Sequence, residues 1–274
     1  MTNPIIGVFD SGFGGLTVLK ALLARIPGAE YAFLGDTARL PYGSKSQRTI
    51  ARYAAESAQF LVERQHAKFL VIACNTASAL ALDAIREAVS VPVLGVIEPG
   101  AAAAAASSSS RDVLVMATEA TVASHAYAAA CRAQGLRGVE KACPLLVPLV
   151  EEGWIDPAAY PVTAEVVRIY LSELLAEAAA AGQSPDTLVL GCTHYPLLRP
   201  IFESAVPAGM RVIDSAEATA DEAARLLGFR EPGASATQPR IHCFATDSVE
   251  KFERLGSRFL GLPVGKVELV DLGG

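Results

Sequence analysis

The sequence contains no hydrophobic run long enough to cross a membrane. None of its apolar stretches approaches the ~20 consecutive apolar residues that a membrane-spanning helix requires. Its first residues, MTNPIIGVFDSG, also lack the basic, then apolar, then small-residue order of a secretory signal. We therefore expect a soluble, cytoplasmic protein with no membrane partner.

Excess positive charge and metal-binding cysteine patterns are also missing. There are 23 Lys and Arg against 29 Asp and Glu, whereas a nucleic-acid partner usually requires clustered cationic side chains. The five cysteines are an odd number without CxxC spacing, and the closest pair, Cys131 and Cys143, brackets a stretch that we interpret as a loop. We expect no nucleic-acid partner, no metal site and no disulfide framework.

Short apolar runs alternate with longer amphipathic segments along the chain. PIIGVF, YAFLGD and FLVIAC each precede a helical pattern, and VPVLGVIEPG supplies a fourth strand. Near-continuous apolar strands separated by helices are typical of a parallel sheet covered on both faces. Hydrophobic residues make up 51% of the chain, which is enough for a large core in one or two domains.

The second half of the chain repeats this theme. After AAAAAASSSS, which we interpret as a short surface helix, strands are predicted at DVLVMAT, TLVLGC and MRVIDS, and a long helix ends near Gly182. The predicted fold is α/β, with two similar lobes, each a mostly parallel sheet flanked by helices, and the active site in the cleft between them. We expect residues 1–97 and 210–274 to form a discontinuous first domain and residues 98–209 to form the second.

Two cysteines follow apolar runs at matching places in the two halves. Cys74 follows FLVIA and Cys192 follows TLVLG. Because this fold class places its chemistry at the carboxyl ends of strands, we predict that both thiols are functional. Asn75 or Thr76 is available to cap the helix after Cys74, and that helix N-terminus is expected to lower the thiol pKa below about 8.5. His194, two residues after Cys192, can transfer protons near neutral pH.

Acidic and turn-forming residues follow the first two strands. DSGFGG fits a tight turn with Ser11 as a helix cap and is a poor match to the GxGxxG dinucleotide motif. Asp10, at the end of a buried strand, either caps the helix or orients a catalytic group. VIDSA repeats this acid-serine pair in the second half. The turn Pro41-Tyr42-Gly43 is either a hydrophobic anchor or a set of backbone amides for a substrate carboxylate.

Together these segments resemble the glutamate racemase family. The resemblance covers residues 5 to about 216 and rests on FDSGFGGLTVLKAL, GDTARLPYGSKS, ACNTASALAL, GVIEPG, VPLVEEG and LGCTHYPLL. Aspartate racemases share the paired cysteines and two lobes but do not look like this in the DSGFGG, PYG and CTHYPLL segments. The resemblance implies a cofactor-independent isomerase that interconverts L-glutamate and D-glutamate for peptidoglycan synthesis and forms a homodimer.

The resemblance also implies a role for each candidate residue. The position matching Cys74 acts on D-glutamate with help from Asp10, and the position matching Cys192 acts on L-glutamate. His194 and Glu151 assist Cys192, although the neighbouring Glu152 fits the spacing as well. Substrate contacts are implied for Asp10, Ser11, Pro41, Tyr42, Gly43, Asn75, Thr76, Thr118, Thr121, Thr193 and His194; the two threonines Thr118 and Thr121 can equally cap a helix.

Three alternatives stay open at this point. Aspartate racemase is the second choice within the same enzyme class. A noncatalytic protein that binds an acidic amino acid is a choice from another class, and an additional role such as gyrase inhibition is known among family members.

No lysine stands where a pyridoxal Schiff base would be expected, and the sequence lacks the N-terminal extension expected of members that a peptidoglycan precursor activates.

Overall fold

The computed structural model describes residues 4–229 and 240–273. The chain divides into two compact units, one formed by Met1–Val96 with Thr219–Gly274 and the other by Ile97–Ala218. Each unit is built around one parallel β-sheet. Among the residues described, no helix is long and apolar enough to cross a membrane.

The first unit begins with four strands alternating with helices. Its elements are β1 (Ile5–Asp10), α1 (Leu16–Arg25), β2 (Glu30–Gly35), α2 (Gln47–Gln59), β3 (Phe69–Ile72), α3 (Asn75–Leu80), α4 (Leu82–Ala88) and β4 (Val93–Gly95). Strands β1 and β3 are almost wholly buried, as expected for a parallel sheet with helices on both faces. The predicted single helix after Cys74 is broken at Ala81 into α3 and α4.

The second unit repeats this arrangement. Its elements are α5 (Ile97–Ser107), β5 (Asp112–Ala117), α6 (Glu119–Ala123), α7 (Ala126–Ala133), β6 (Arg137–Ala142), α8 (Leu146–Glu151), α9 (Pro161–Ala180), β7 (Thr187–Gly191), α10 (Arg199–Ala205), β8 (Arg211–Asp214) and the start of α11 (Ser215–Leu226). The predicted surface helix of alanines and serines is longer than expected, because α5 begins at Ile97 and accommodates Pro99 in its first turn.

The tail of the chain returns to the first sheet. It adds β9 (Arg240–Ala245), α12 (Val249–Leu260) and β10 (Val267–Leu269), and β9 pairs with β2. The first sheet therefore has the order β10-β9-β2-β1-β3-β4 and the second the order β6-β5-β7-β8, with all pairs parallel. Residues 1–3, 230–239 and 274 of the expected first domain lie outside the described residues.

The domain boundary in the structure differs from the expected one because of the position of β8. The sequence pattern places residues 210–218 in the first domain, but β8 pairs with β7, so this segment lies in the second unit. The stretch between Cys131 and Cys143 also differs from its interpretation as a loop, because it contains β6. Both differences arise because the strand partner of a segment is not a local property of its sequence.

The two sheets share one strand order, β2-β1-β3-β4 in the first and β6-β5-β7-β8 in the second. In this correspondence β3 matches β7, so Cys74 and Cys192 follow equivalent strands. The acid-serine pairs do not correspond: Asp10 ends β1, whereas Asp214 ends β8, which matches β4. The likeness between VFDSG and VIDSA is therefore not a structural repeat, and Thr118 follows the strand that matches β1.

Candidate active site

Cys74 lies two residues beyond β3 and is 5% exposed. Its thiol donates a hydrogen bond to the Ser11 hydroxyl, with 3.4 Å between sulfur and oxygen, and the sulfur accepts the Ala77 N–H at 3.4 Å. Cys74 itself therefore caps α3, and the expected cap by Asn75 or Thr76 is wrong. Asn75 and Thr76 are buried in the first turn of that helix.

Asp10 ends β1 beside this thiol and is 1% exposed. Its Oδ2 accepts the Gly12 N–H at 3.0 Å, which fixes the turn before α1. Ser11 is half-buried and does not cap α1, whose N-cap is Gly15. A Cβ on Gly15 would lie 2.6 Å from the Asp10 Cβ, so glycine is required here by the close approach of the turn to the strand end.

The surroundings of Cys74 keep its thiol protonated. Burial raises its pKa to about 12, with a further rise from the Asp10 charge, while the bonds from Ser11 and Ala77 act in the opposite direction. The expectation that the helix N-terminus lowers this pKa is therefore wrong for the protein without substrate. A thiolate of high pKa is a strong base, which suits removal of a proton from a very weak carbon acid.

Tyr42 belongs to the same buried cluster as Cys74. It is 1% exposed, packs against Phe9 with ring centroids 6.2 Å apart, and donates its hydroxyl to Asp36 Oδ2 at 2.5 Å. Its neighbours in the turn differ, since Pro41 is exposed and Gly43 is half-buried. Tyr42 is thus both an apolar anchor and a polar contact.

Cys192 directly follows β7 and is 6% exposed. The next two residues, Thr193 and His194, are also buried, and the Thr193 hydroxyl lies 3.4 Å from His194 Nδ1. Tyr195 then begins a short 3₁₀ turn and donates its hydroxyl to the Cys143 carbonyl oxygen at 3.1 Å. This bond attaches the turn after Cys192 to the residue that follows β6.

His194 carries a proton between two acceptors. Its Nε2 lies 3.4 Å from Glu151 Oε1, and its ring also forms a hydrogen bond with Cys192. Burial alone would lower the pKa of His194, but the bonds to Cys192 and Glu151 outweigh it and raise the pKa to about 10. The imidazole is therefore cationic at neutral pH and adjoins the Cys192 sulfur.

The structure distinguishes between the two adjacent glutamates. Glu151 is the last residue of α8 and is half-buried against His194, whereas Glu152 is exposed. Thr118 caps α6 by accepting the Thr121 N–H at 3.4 Å, and the two hydroxyl oxygens lie 2.9 Å apart. The capping alternative for these threonines therefore describes their geometry in the protein without substrate.

The other three cysteines, Cys131, Cys143 and Cys243, are buried thiols whose pKa is raised mainly by burial. All five cysteines are free and buried. Burial raises the pKa of Cys131 to about 11 and of Cys243 to about 12, and it raises that of Cys143 as well. No group of three or more His, Cys, Asp or Glu that could hold a metal ion occurs among residues 4–229 and 240–273. Cys74 and Cys192 differ from these three in lying after equivalent strands, with Asp10 and Ser11 beside Cys74 and His194 beside Cys192.

Two charged residues near Tyr42 are not among the site residues predicted from the sequence. Asp36, which directly follows β2 and is fully buried, forms an ion pair with Arg39 and accepts the Tyr42 hydroxyl. The available signal was an acid directly after an apolar strand, the same signal that identified Asp10. The partner of Asp36 could not be predicted, because it depends on how the turn after β2 folds back.

The chain matches known proteins along its whole length. Residues 14–223 match the model of the Asp/Glu/Hydantoin racemase family. The chain is 54% identical to the glutamate racemase of Koribacter versatilis, covering 99% of each sequence. Two similar solved structures are glutamate racemase isoform RacE1 from Bacillus anthracis, with a TM-score of 0.88 and 35% identity, and glutamate racemase from Francisella tularensis in complex with D-glutamate, with a TM-score of 0.86 and 33% identity; each alignment covers 99% of both chains.

These similarities extend over both units and include the elements that carry both thiols. The family model spans β3 with Cys74 and β7 with Cys192. The parallel sheets flanked by helices agree with the fold of the solved racemases. The chain therefore belongs to the Asp/Glu/Hydantoin racemase family.

Proposed function

We propose that this protein is a glutamate racemase that uses Cys74 and Cys192 as its two acid/base groups and needs no cofactor. The observation that carries the proposal is the pair of buried thiols, each following the equivalent strand of its own sheet and each beside groups that bind or supply protons. The glutamate racemase relatives support glutamate as the substrate.

Racemisation requires one group that removes the α-proton and another that delivers a proton to the opposite face. Two thiols satisfy this requirement if one is a thiolate while the other is protonated, and if these states exchange after each turnover. In our proposal Cys74 acts on D-glutamate and Cys192 acts on L-glutamate. Asp10 assists Cys74, while His194 and Glu151 assist Cys192.

The substrate contacts form two sets in this proposal. The first unit contributes Asp10, Ser11, Pro41, Tyr42, Gly43, Asn75 and Thr76, and the second contributes Thr118, Thr121, Thr193 and His194. Hydroxyl and amide donors in a site from which water is excluded stabilise the negative charge that develops on the substrate carboxylate as the α-proton leaves. We expect hydroxyls such as Thr118 to exchange a capping bond for a bond to substrate.

The direct test is incubation of the chelator-treated, pyridoxal-free protein with L-glutamate in D2O. The expected product is D-glutamate with deuterium at the α-carbon, detected by chiral chromatography and mass spectrometry. Binding of glutamate without any α-deuterium would favour the noncatalytic binding protein and contradict the proposal. L-aspartate in a parallel incubation serves as the comparison, and faster turnover of aspartate would make the protein an aspartate racemase.

We further propose that the D-glutamate supplies peptidoglycan synthesis and that the protein acts as a cytoplasmic homodimer. Rescue of a bacterium that requires external D-glutamate is the expected result for the first statement. An unchanged requirement despite active protein would contradict it. Light scattering during gel filtration tests the second, since a mass near 28.6 kDa would indicate a monomer.

A further inference from the structure

Arg39 and Asp36 form a charged cluster that is hydrogen-bonded to the Tyr42 turn. Arg39 Nε lies 2.9 and 2.8 Å from the two carboxylate oxygens of Asp36, which is fully buried. The Arg39 guanidinium also bonds to Glu56 on α2 and lies 4.3 Å from the ring centroid of Tyr53. One guanidinium thus joins the end of β2 to two side chains of α2.

Asp36 connects Arg39 to the turn that contains Tyr42. Its carboxylate accepts the Tyr42 hydroxyl at 2.5 Å and the Thr246 hydroxyl at 2.9 Å. Thr246 directly follows β9 and also accepts the Ala38 N–H at 2.9 Å, so the returning tail of the chain supports the same turn. Burying a carboxylate is costly unless it is paired and hydrogen-bonded, and Asp36 meets both conditions.

We propose that Arg39 is a positioning residue for racemisation, acting through Asp36 to hold Tyr42 and the adjoining turn beside Cys74. This inference rests on the proposed function, in which that turn contacts the substrate. Tyr42 and Cys74 share one buried cluster, so a shift of the tyrosine changes the surroundings of the thiol. Lysine cannot replace Arg39, because its single ammonium cannot contact Asp36, Glu56 and Tyr53 together.

The chain offers a matched control for this ion pair. Arg137 binds Asp112 with Nε–Oδ1 and Nη2–Oδ2 distances of 2.7 and 2.8 Å, and Asp112 is also buried. These residues begin β6 and β5, at the opposite end of those strands from the edge that carries Cys192. Arg137→Lys therefore changes an arginine that is paired with a buried aspartate away from the Tyr42 turn, although the Arg137 side chain is 59% exposed and that of Arg39 is 10% exposed.

The experiment compares Arg39→Lys with Arg137→Lys in assays of both directions of glutamate racemisation. We expect Arg39→Lys to lower kcat/KM by about tenfold or more, and Arg137→Lys to lower it by less than about twofold. Because the two enantiomers have equal free energy, the loss in kcat/KM must be the same in both directions. A misfolded fraction lowers kcat alone, whereas a displaced turn raises KM, so KM separates positioning from mere loss of structure.

A double-mutant cycle with Tyr42→Phe tests the route of the effect. If Arg39 acts through Asp36 and Tyr42, Arg39→Lys should lower kcat/KM much less in a protein that already carries Tyr42→Phe. The losses in kcat/KM of the two single variants are then not additive. Fully additive losses, or equal effects of Arg39→Lys and Arg137→Lys, would overturn the proposal. Tyr42→Phe keeps the apolar ring, so it supplies an answer even where Arg39→Lys folds poorly.

Alkylation of Cys74 provides a readout that does not depend on racemase activity. We expect iodoacetamide to label Cys74 several times faster in Arg39→Lys than in Arg137→Lys, as measured by peptide mass spectrometry, because the tyrosine beside the thiol is released. Equal rates would contradict the positioning role. If the unmodified protein does not racemise glutamate, the proposed function fails, while this comparison still decides whether Arg39 holds Tyr42 in place.

Discussion

Cys74 and Cys192 follow equivalent strands in two sheets of the same order, yet their partners carry opposite charge. Cys74 lies beside the Asp10 carboxylate and the Ser11 hydroxyl, and its pKa is raised. Cys192 lies beside His194, a cationic imidazole that Glu151 supports. A repeated backbone thus provides two similar thiol positions, and the neighbouring side chains give the two sulfurs different electrostatic surroundings.

This difference in surroundings is relevant to the proposed reaction, in which one sulfur is protonated while the other is a thiolate. At neutral pH burial and the Asp10 charge favour the protonated form of Cys74, while the imidazole of His194 beside Cys192 is cationic. In the proposed mechanism, a protonated Cys74 is the acid that is needed when Cys192 acts on L-glutamate. The reverse direction then requires that the proton be transferred first.

The largest expected effect is loss of either thiol. Cys74→Ser and Cys192→Ser should each lower racemisation by about 10³-fold or more, within the range of about 10²–10⁴-fold contributed by general acid/base groups. Each variant should still exchange the α-proton of one glutamate enantiomer with solvent in D2O. Cys74→Ser should exchange L-glutamate and Cys192→Ser should exchange D-glutamate, as measured by NMR.

The matched control for these variants is Cys131→Ser, which removes a buried thiol that we assign to packing. It should keep racemisation within a few-fold of the unmodified protein. Exchange of both enantiomers by Cys74→Ser would show that Cys74 is not the base for D-glutamate. Parental racemisation by Cys192→Ser would remove that residue from the catalytic pair.

Replacing His194 should have the second largest effect. His194→Asn removes the cation beside Cys192, and we expect kcat/KM to fall by about 10²-fold, the lower end of the range for proton-transfer groups. The same variant also tests whether the His194 imidazole is protonated in the folded protein. Because the pKa of His194 is raised to about 10, its charged form stabilises the folded protein fully below about pH 6.5, its value in an unfolded chain.

This stabilisation is lost as the pH rises toward 10, since the folded protein binds the proton more tightly than the unfolded chain does. The free energy of unfolding of the unmodified protein should therefore fall between about pH 6.5 and pH 10 by a few kcal/mol more than that of His194→Asn. Urea unfolding at a series of pH values measures this difference. Parallel curves for the two proteins would show that His194 is not held as a cation.

Asp10 is expected to have a smaller effect, through Cys74. Asp10→Asn keeps an acceptor for the Gly12 N–H but removes the charge that raises the Cys74 pKa. We expect that pKa to fall, shown by faster iodoacetamide labelling of Cys74 at neutral pH. A more acidic thiol gives a weaker base, so activity should fall by about tenfold, less than for a group that itself transfers the proton.

Asp214→Asn is the control for this change. Asp214 also ends a strand and accepts the N–H two residues later, from Ala216 at 3.0 Å, but it ends β8 and is paired with Arg199. It should leave the labelling of Cys74 unchanged. Equal labelling rates of Cys74 in Asp10→Asn and in the unmodified protein would mean that the Asp10 charge does not act on the thiol.

The comparison of the two thiols also shows what the sequence could and could not predict. Apolar runs such as FLVIA and TLVLG predicted β3 and β7, because strands buried on both faces have no polar alternation. Strand β6, RGVEKA, was missed because it is an edge strand whose residues are mostly half-exposed and polar. Cys74 and Cys192 are the predicted catalytic pair because each directly follows such an apolar run.

The electrostatics of the site were less predictable. A helix N-terminus is visible in the sequence and suggested a lowered pKa for Cys74, whereas the burial and the Asp10 charge that raise it depend on tertiary packing. The Arg39 and Asp36 pair was missed for the same reason, since its partners come from α2 and from the residue after β9. Local patterns predicted the side chains that the proposed reaction uses, whereas packing determines the pKa of Cys74 and of His194.

The smallest expected effect concerns the glutamate that supports His194. Glu151→Gln replaces the carboxylate 3.4 Å from Nε2 by a neutral amide, so the pKa of His194 should fall and kcat/KM should drop by about threefold to fivefold. Glu152→Gln, on the exposed neighbour, should change neither quantity. NMR titration of the imidazole and steady-state assays measure both. If Glu152→Gln had the larger effect, the carboxylate that assists Cys192 would be the exposed one, and His194 would owe its charge to Cys192 alone.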